Sequence, residues 1–145
     1  MSDKIYIWET GKGNIGHGSM TLHDGTHISW WPKDDTSKSS ATIHKKCVEA
    51  GTTSSYNEDT EWEGKAADCI IPIKQGKLEI AAIKTWWMQF KDKTKYHILD
   101  NNCCTVIFKA LNSGGATQYY PIPWDLIATP ASLKQYALKL QHVTQ

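Results

Sequence analysis

The chain has 145 residues, 40% of them hydrophobic and 21% charged, with a formal net charge of +1. That length suits one domain with one core over residues 1–145, and the near-neutral charge excludes the strong field that draws a protein to nucleic acid or to an anionic membrane. No stretch approaches the roughly 18 apolar residues of a membrane span, and Met1-Ser2-Asp3-Lys4 lacks the apolar core of a signal peptide, so the expectation is synthesis in the cytoplasm and any export without a cleaved signal.

Residues 4–8 alternate in polarity and predict a first strand. The glycines of 11–16 resemble a phosphate loop, but no G-K-[ST] closes the pattern and no helical period follows it. The segment reads instead as a flexible loop that brings the chain close to the next strand. Residues 17–22 and 27–31 flank His23-Asp24-Gly25-Thr26, and Asp-Gly is a strong hairpin turn; Pro32 ends the second strand because it cannot donate to a ladder. The Trp30-Trp31 pair is a candidate wall for a groove. Residues 33–40 predict a surface loop and 41–50 a short helix stopped by Gly51. Residues 52–66, rich in Thr, Ser, Asn, Glu and Gly, predict the longest loop.

Residues 68–73 predict a strand that Pro72 places at an edge or an end. Residues 77–90 carry the strongest helical signal, with Leu78, Ala81, Ala82, Thr85, Trp86 and Gln89 or Phe90 along its faces. Residues 91–95 break it, and residues 96–99 lead into a further helix. Residues 119–124 are aromatic, proline-rich and irregular. Thr129 as N-cap and Pro130 at the first helical position start the last helix, with Leu133, Tyr136, Ala137 and Leu140 on its apolar face. The fold class is α+β.

The helix after residue 100 organises the functional reading. Asn101 or Asn102 can cap it, Val106, Ile107, Ala110 and Leu111 share one face, and Gly114 and Gly115 supply a left-handed stop. Its first turn carries Cys103 and Cys104. Unpaired amides and the positive end of the helix dipole lie there, and both favour thiolate, the nucleophilic form. Cys103 lies on the stripe of Val106, Ile107, Ala110 and Leu111, whereas Cys104 is rotated toward Phe108. Cys103 is therefore the expected nucleophile, looking across at a sheet. The remaining cysteines, Cys47 and Cys69, are a possible bridge that nothing in the sequence demands, and the four match no paired C-x-x-C zinc motif, so no metal or organic cofactor is expected.

A cysteine nucleophile needs a base, and the base an orienting partner. Of the six histidines, His17 is the best candidate, opening an inner-looking strand after the glycine loop. His23 on a turn, His44 on a polar helix and His142 near the C-terminus read as solvated surface residues, and His97 is a weaker rival. His27 and Ser29 share a face of the neighbouring strand, and spacing does not separate them as the orienting group. An amide from Asn101 or Asn102 can join the Cys103 backbone N–H to hold an oxyanion.

The run Gly16-His17-Gly18-Ser19-Met20, the run Ile28-Ser29-Trp30-Trp31-Pro32 and the helix start Asn102-Cys103-Cys104-Thr105 together resemble the circularly permuted NlpC/P60 group of papain-like cysteine hydrolases, in which the histidine strand precedes the cysteine helix. Type VI secretion amidase effectors of the TseH type are similar. The resemblance spans roughly residues 5–140. It implies a small antiparallel sheet packed on the helix that carries the cysteine at its N-terminus, with flanking helices. It also implies Cys103 as nucleophile, His17 as base, and a third member about a dozen positions later. That position is Ser29, where the group usually has His, Asn or Gln, so either His27 substitutes or the triad is a weak one. The implied substrate is an amide bond in peptidoglycan stem peptides, with activity in the periplasm of target bacteria. The implied partners are a secretion-system carrier and a cognate immunity protein, around a monomeric enzyme. A deamidase or acyltransferase acting on a protein or lipid, and a non-catalytic binding module using the tryptophans and the 52–66 segment, are the alternatives.

Overall fold

The computed structural model describes residues 1–11, 15–32, 50–93 and 101–145. Five strands form one antiparallel sheet: β1 (Ser2–Trp8), β2 (His17–Thr21), β3 (His27–Pro32), β4 (Ala50–Thr52) and β5 (Cys69–Lys74), in the order β4-β3-β2-β1-β5. Four α-helices accompany it among the described residues: α1 (Tyr56–Glu63), α2 (Ile80–Phe90), α3 (Cys103–Ser113) and α4 (Pro130–Val143). The β2–β3 hairpin turns as expected, with Gly25 at φ 96° and Leu22 N–H donating to Thr26 O at 2.8 Å. Pro72 sits on β5, an outer strand, where a missing donor costs least.

Period-two alternation gives β1 and β2 two differently covered faces. Ile5, Ile7 and Met20 enter the core with Val106, Ile107, Ala110 and Leu111 of α3 and Leu133, Tyr136, Ala137 and Leu140 of α4. Each such fully buried aliphatic side chain is worth roughly 1.5–3 kcal/mol relative to exposure. Tyr6, Trp8, His17 and Ser19 lie on the other face, yet they too are buried. Tyr6 stacks on Tyr56 of α1, with ring centroids 4.3 Å apart. Helix α1 is thus the cover of that second face.

Several expectations are corrected. The segment 52–66 is not a long loop: Ser55 caps α1 by accepting from Glu58 N–H, and Gly64 ends it at φ 81°. Ala50 belongs to β4 rather than to the end of a helix; the rest of that expected helix, with His44, lies outside the described residues, as do residues 12–14, 33–40 and 96–99 with His97. Helix α2 starts at Ile80 and buries Ile83 and Trp87, while Ala81, Ala82 and Thr85 face solvent. The stripe Ile80, Ile83, Trp87, Phe90 follows the helical period better than the alanines do, because it carries the larger apolar area. Trp30 and Trp31 are both buried, one on each face of β3.

Candidate active site

Asn102 caps α3. Its side-chain oxygen accepts from Thr105 N–H at 2.9 Å, and its side-chain N–H donates to Ala128 O at 2.8 Å. Asn101 turns elsewhere, accepting from Lys109 Nζ at 2.8 Å through its side chain and from Trp30 Nε1 at 3.1 Å through its carbonyl. The cap role thus belongs to Asn102 rather than to Asn101.

Cys103 and Cys104 are buried free thiols whose sulfurs lie 3.9 Å apart. Both border a cavity of about 230 Å³ whose wall is mostly carbon, from Ile15, Ile127 and Pro130, with Gly16 among its lining residues. The sulfur of Cys104 packs against the sheet: a Cβ placed on Gly18 of β2 would lie 3.1 Å from Cys104 Sγ. The helix therefore sets its second residue against β2, a contact the spacing did not predict. Cys69 is also a free thiol, and Cys47 lies outside the described residues.

The imidazole side is built on the other face of the sheet. His17 Nε2 lies 3.0 Å from Ser29 Oγ, which donates to Asp59 Oδ1 at 2.8 Å and accepts from Trp31 Nε1 at 2.9 Å. Trp31 is donor-only and an ionised carboxylate acceptor-only. The hydroxyl of Ser29 therefore spends its proton on Asp59, and its remaining lone pair accepts from His17. This fixes the neutral ring with its proton on Nε2 and its lone pair on Nδ1. That Nδ1 is buried and has no hydrogen-bond partner. The ring is clamped in place, stacked on Trp31 at 3.8 Å between centroids and tilted against Trp8 at 5.4 Å.

Asp59 is the hub. His27 Nε2 stands 2.7 Å from its Oδ2, Thr53 donates to its Oδ1, and His17 Nε2 lies 3.8 Å from Oδ1. Burial pushes the Asp59 carboxyl up, but the His27 bond, the electrostatic influence of the neighbouring His17 and His27 imidazoles and the Thr53 bond outweigh it and hold the group well below the usual carboxylate range. Ser29 is thus the direct partner of His17, and His27, whose Nδ1 meets Thr21 Oγ1 at 2.9 Å, flanks Asp59 from the far side. Sequence reasoning missed Asp59. The signal was present in Ser55-x-x-Glu58, a capping-box pattern that starts a helix and places an acid one residue later.

The structure brings His17, Ser29 and His27 together around Asp59, and Cys103 opens α3 beside the cavity that Gly16 also lines. No hydrogen bond joins His17 to Cys103. Alternation sends Gly18 toward α3 and His17 toward α1, and Gly16, just before β2, lines the thiol cavity. His23, expected to be solvated, is bonded through Nδ1 to the buried Asp3 at 2.9 Å; His142 is exposed. Among the described residues no group of three His, Cys, Asp or Glu is disposed to hold a metal, and no helix is long and apolar enough to cross a membrane.

A family model described as the IcsB middle domain matches residues 55–145, well over half of the chain. The chain belongs to the IcsB middle-domain family. The match to the IcsB middle domain begins at Ser55, the cap of α1, so it includes Asp59 and the α3 thiols and leaves His17, His27 and Ser29 on the strands before it. Comparison with curated proteins and with solved structures gives no match.

Proposed function

We propose that this IcsB middle-domain protein is a cysteine-dependent enzyme of the papain-like, permuted NlpC/P60 kind, with Cys103 as nucleophile and His17 as base. The observation that carries the reading is the buried Nδ1 of His17, left as an unpartnered lone pair by a ring whose Nε2–H is committed to Ser29 and, through it, to Asp59. A nitrogen held this way is ready to take a proton. Cys103 supplies the proton from the first turn of a capped helix that borders an open cavity. Reaction requires Nδ1 and the sulfur to meet at the Gly16 end of β2, a contact that tightens when substrate is bound.

In that reaction His17 Nδ1 takes the thiol proton and the sulfur attacks an amide carbonyl carbon. The C–N bond breaks, the leaving amine takes the proton from His17, and water cleaves the thioester to a carboxylic acid and the free thiol. The first substrate is the peptidoglycan stem peptide, and the biological setting is an antibacterial type VI effector acting in the periplasm of target cells, with a carrier and an immunity protein as partners. The carbon-rich wall of the cavity favours a second reading, acyl transfer to an acceptor other than water on a protein or lipid.

Digestion of purified peptidoglycan followed by mass spectrometry of the muropeptides tests both. New peptide termini that disappear in Cys103→Ala and in His17→Ala establish the hydrolase. Intact muropeptides with a Cys103-dependent acyl adduct establish the transferase. Full toxicity of both variants in the periplasm defeats the thiol mechanism.

A further inference from the structure

Asp59 is reached from two sides. Ser29 and His17 stand on one; on the other runs a row of two hydroxyls and a ring that the proposed reaction does not use. Thr21 of β2 lies directly opposite His27 of β3, and Tyr6 of β1 lies opposite Ser19, two residues before Thr21 on the same face of β2. The Tyr6 hydroxyl is hydrogen-bonded to that of Thr21, Thr21 Oγ1 lies 2.9 Å from His27 Nδ1, and His27 Nε2 lies 2.7 Å from Asp59 Oδ2. Tyr6, His27 and Asp59 are all buried. The direction of each bond follows from the carboxylate end. Ionised Asp59 only accepts, so His27 Nε2 carries a proton. Nδ1 of the neutral ring is then an acceptor, and Thr21 gives it its one hydroxyl proton. Thr21 has no proton left for Tyr6, so the phenol donates. Burial pushes the Tyr6 hydroxyl up; the Thr21 bond pulls the other way, and Tyr56 and Asp59 add to the rise, so the phenol keeps its proton at neutral pH.

We infer that Tyr6 and Thr21 are positioning residues for His17: they head a one-way chain of hydrogen bonds that runs through His27 to Asp59 and fixes the carboxylate from the side opposite Ser29. His27 occupies Oδ2, which leaves Oδ1 to Ser29 at 2.8 Å, to Trp31 Nε1 at 3.2 Å and to Thr53. With each oxygen committed the carboxylate does not rotate, and the Ser29 hydroxyl keeps the one direction that leaves a lone pair for His17 Nε2–H. Neighbouring bonds in such a chain polarise and strengthen one another. Loss of the Thr21 donor leaves His27 Nδ1 as a buried lone pair and lets the ring exchange its tautomer, which sets a lone pair against Asp59. The link to catalysis rests on the role proposed for His17; the direction of the chain does not.

Selective ¹⁵N labelling of the histidines, with long-range ¹H–¹⁵N correlation spectra at neutral pH, tests it. His27 is expected with its proton on Nε2 and none on Nδ1, in the parent chain and in Thr21→Ser. Thr21→Val keeps the shape without the hydroxyl, and Tyr6→Phe deletes the first donor alone. Each is expected to move the His27 Nδ1 signal, and Thr21→Val the ring signals of His17 as well. In turnover, Thr21→Val is expected to lower kcat about tenfold with KM unchanged, the loss of one hydrogen bond in a charged network, and Thr21→Ser to restore it. A parent His27 protonated on Nδ1 overturns the direction of the chain. His17 ring signals that are the same in Thr21→Val as in the parent overturn the positioning role, and a His27 spectrum unmoved in Tyr6→Phe removes Tyr6 from the chain even where Thr21→Val does not fold. A parent without Cys103-dependent turnover defeats the enzymatic reading and leaves the chain reported by the spectra standing.

Discussion

Ser29 donates its hydroxyl proton to Asp59 and faces the ring of His17 from its other side, so a residue of α1 sets the tautomer of an imidazole on β2. The two strands of the β2–β3 hairpin and the later helix α1 share one chain of hydrogen bonds. Its weakest substitution is the carboxylate, because every other member is oriented by it.

Asp59→Asn should destabilise the protein by about 3–5 kcal/mol, the usual effect of removing one partner of a buried charged pair. The pH dependence has a definite sign. The folded carboxyl lies below its unfolded value of about 3.9, so its contribution is complete above that pH and is lost as the pH falls through the folded value. Thermal unfolding between neutral and strongly acid pH should show a steep acid limb in the parent chain and a flatter one in Asp59→Asn. Equal limbs would remove Asp59 from the centre of the network.

The two thiols should separate by function. Cys103→Ala is expected to lower turnover at least about a thousandfold, while Cys104→Ala keeps most of it and loses stability through the space left beside Gly18. Comparing turnover with the melting temperature for both variants makes the distinction; the reverse pattern assigns the nucleophile to Cys104.

Gly16→Ala should be among the most damaging single changes on β2. Gly16 has φ 80°, and an added Cβ would lie 2.5 Å from the carbonyl oxygen of Trp8, a backbone atom that cannot move aside. The left-handed conformation alone costs a non-glycine residue about 1–2 kcal/mol. Chemical denaturation of Gly16→Ala should show at least that loss. A neutral substitution would mean that the start of β2 adjusts freely.

Tyr136 gives an alkaline counterpart. Burial first, and then the neighbouring Tyr120, push its hydroxyl up to about 12, while the group donates to Tyr120 O at 2.7 Å. The unfolded chain releases this proton near pH 10, so stability falls as the pH rises from there toward 12. Tyr136→Phe should lose about 1 kcal/mol at neutral pH and show a shallower alkaline decline, measured by phenolate absorbance together with unfolding.

The strands and the last helix were legible because their signals are local. Asp24-Gly25 names its own turn, and Thr129-Pro130 names its own helix start; the buried face of α4 is the one its spacing predicts. Helix α1 was hidden because its residues carry almost no apolar stripe: it is held by its cap, by Tyr56 against Tyr6, and by Asp59 beneath it. Of the site, the hairpin put His17 on one strand and His27 and Ser29 on the next, and the family resemblance, not spacing, pointed to Ser29, which the structure bonds to His17. Neither identified Asp59, whose partner lies thirty residues away across a non-local contact. The rotation of α3 about its axis was also beyond reach, because both cysteines are buried and only the packing partner, Gly18, decides which one touches the sheet.

Asn102 joins the first turn of α3 to the carbonyl of Ala128, the residue next to Ile127 on the cavity rim. One side chain thereby fastens the thiol-bearing turn and the cavity wall to each other. In the proposed mechanism, a change at the mouth of the cavity is therefore passed to the turn that holds Cys103, which ties the entry of substrate to the aim of the sulfur.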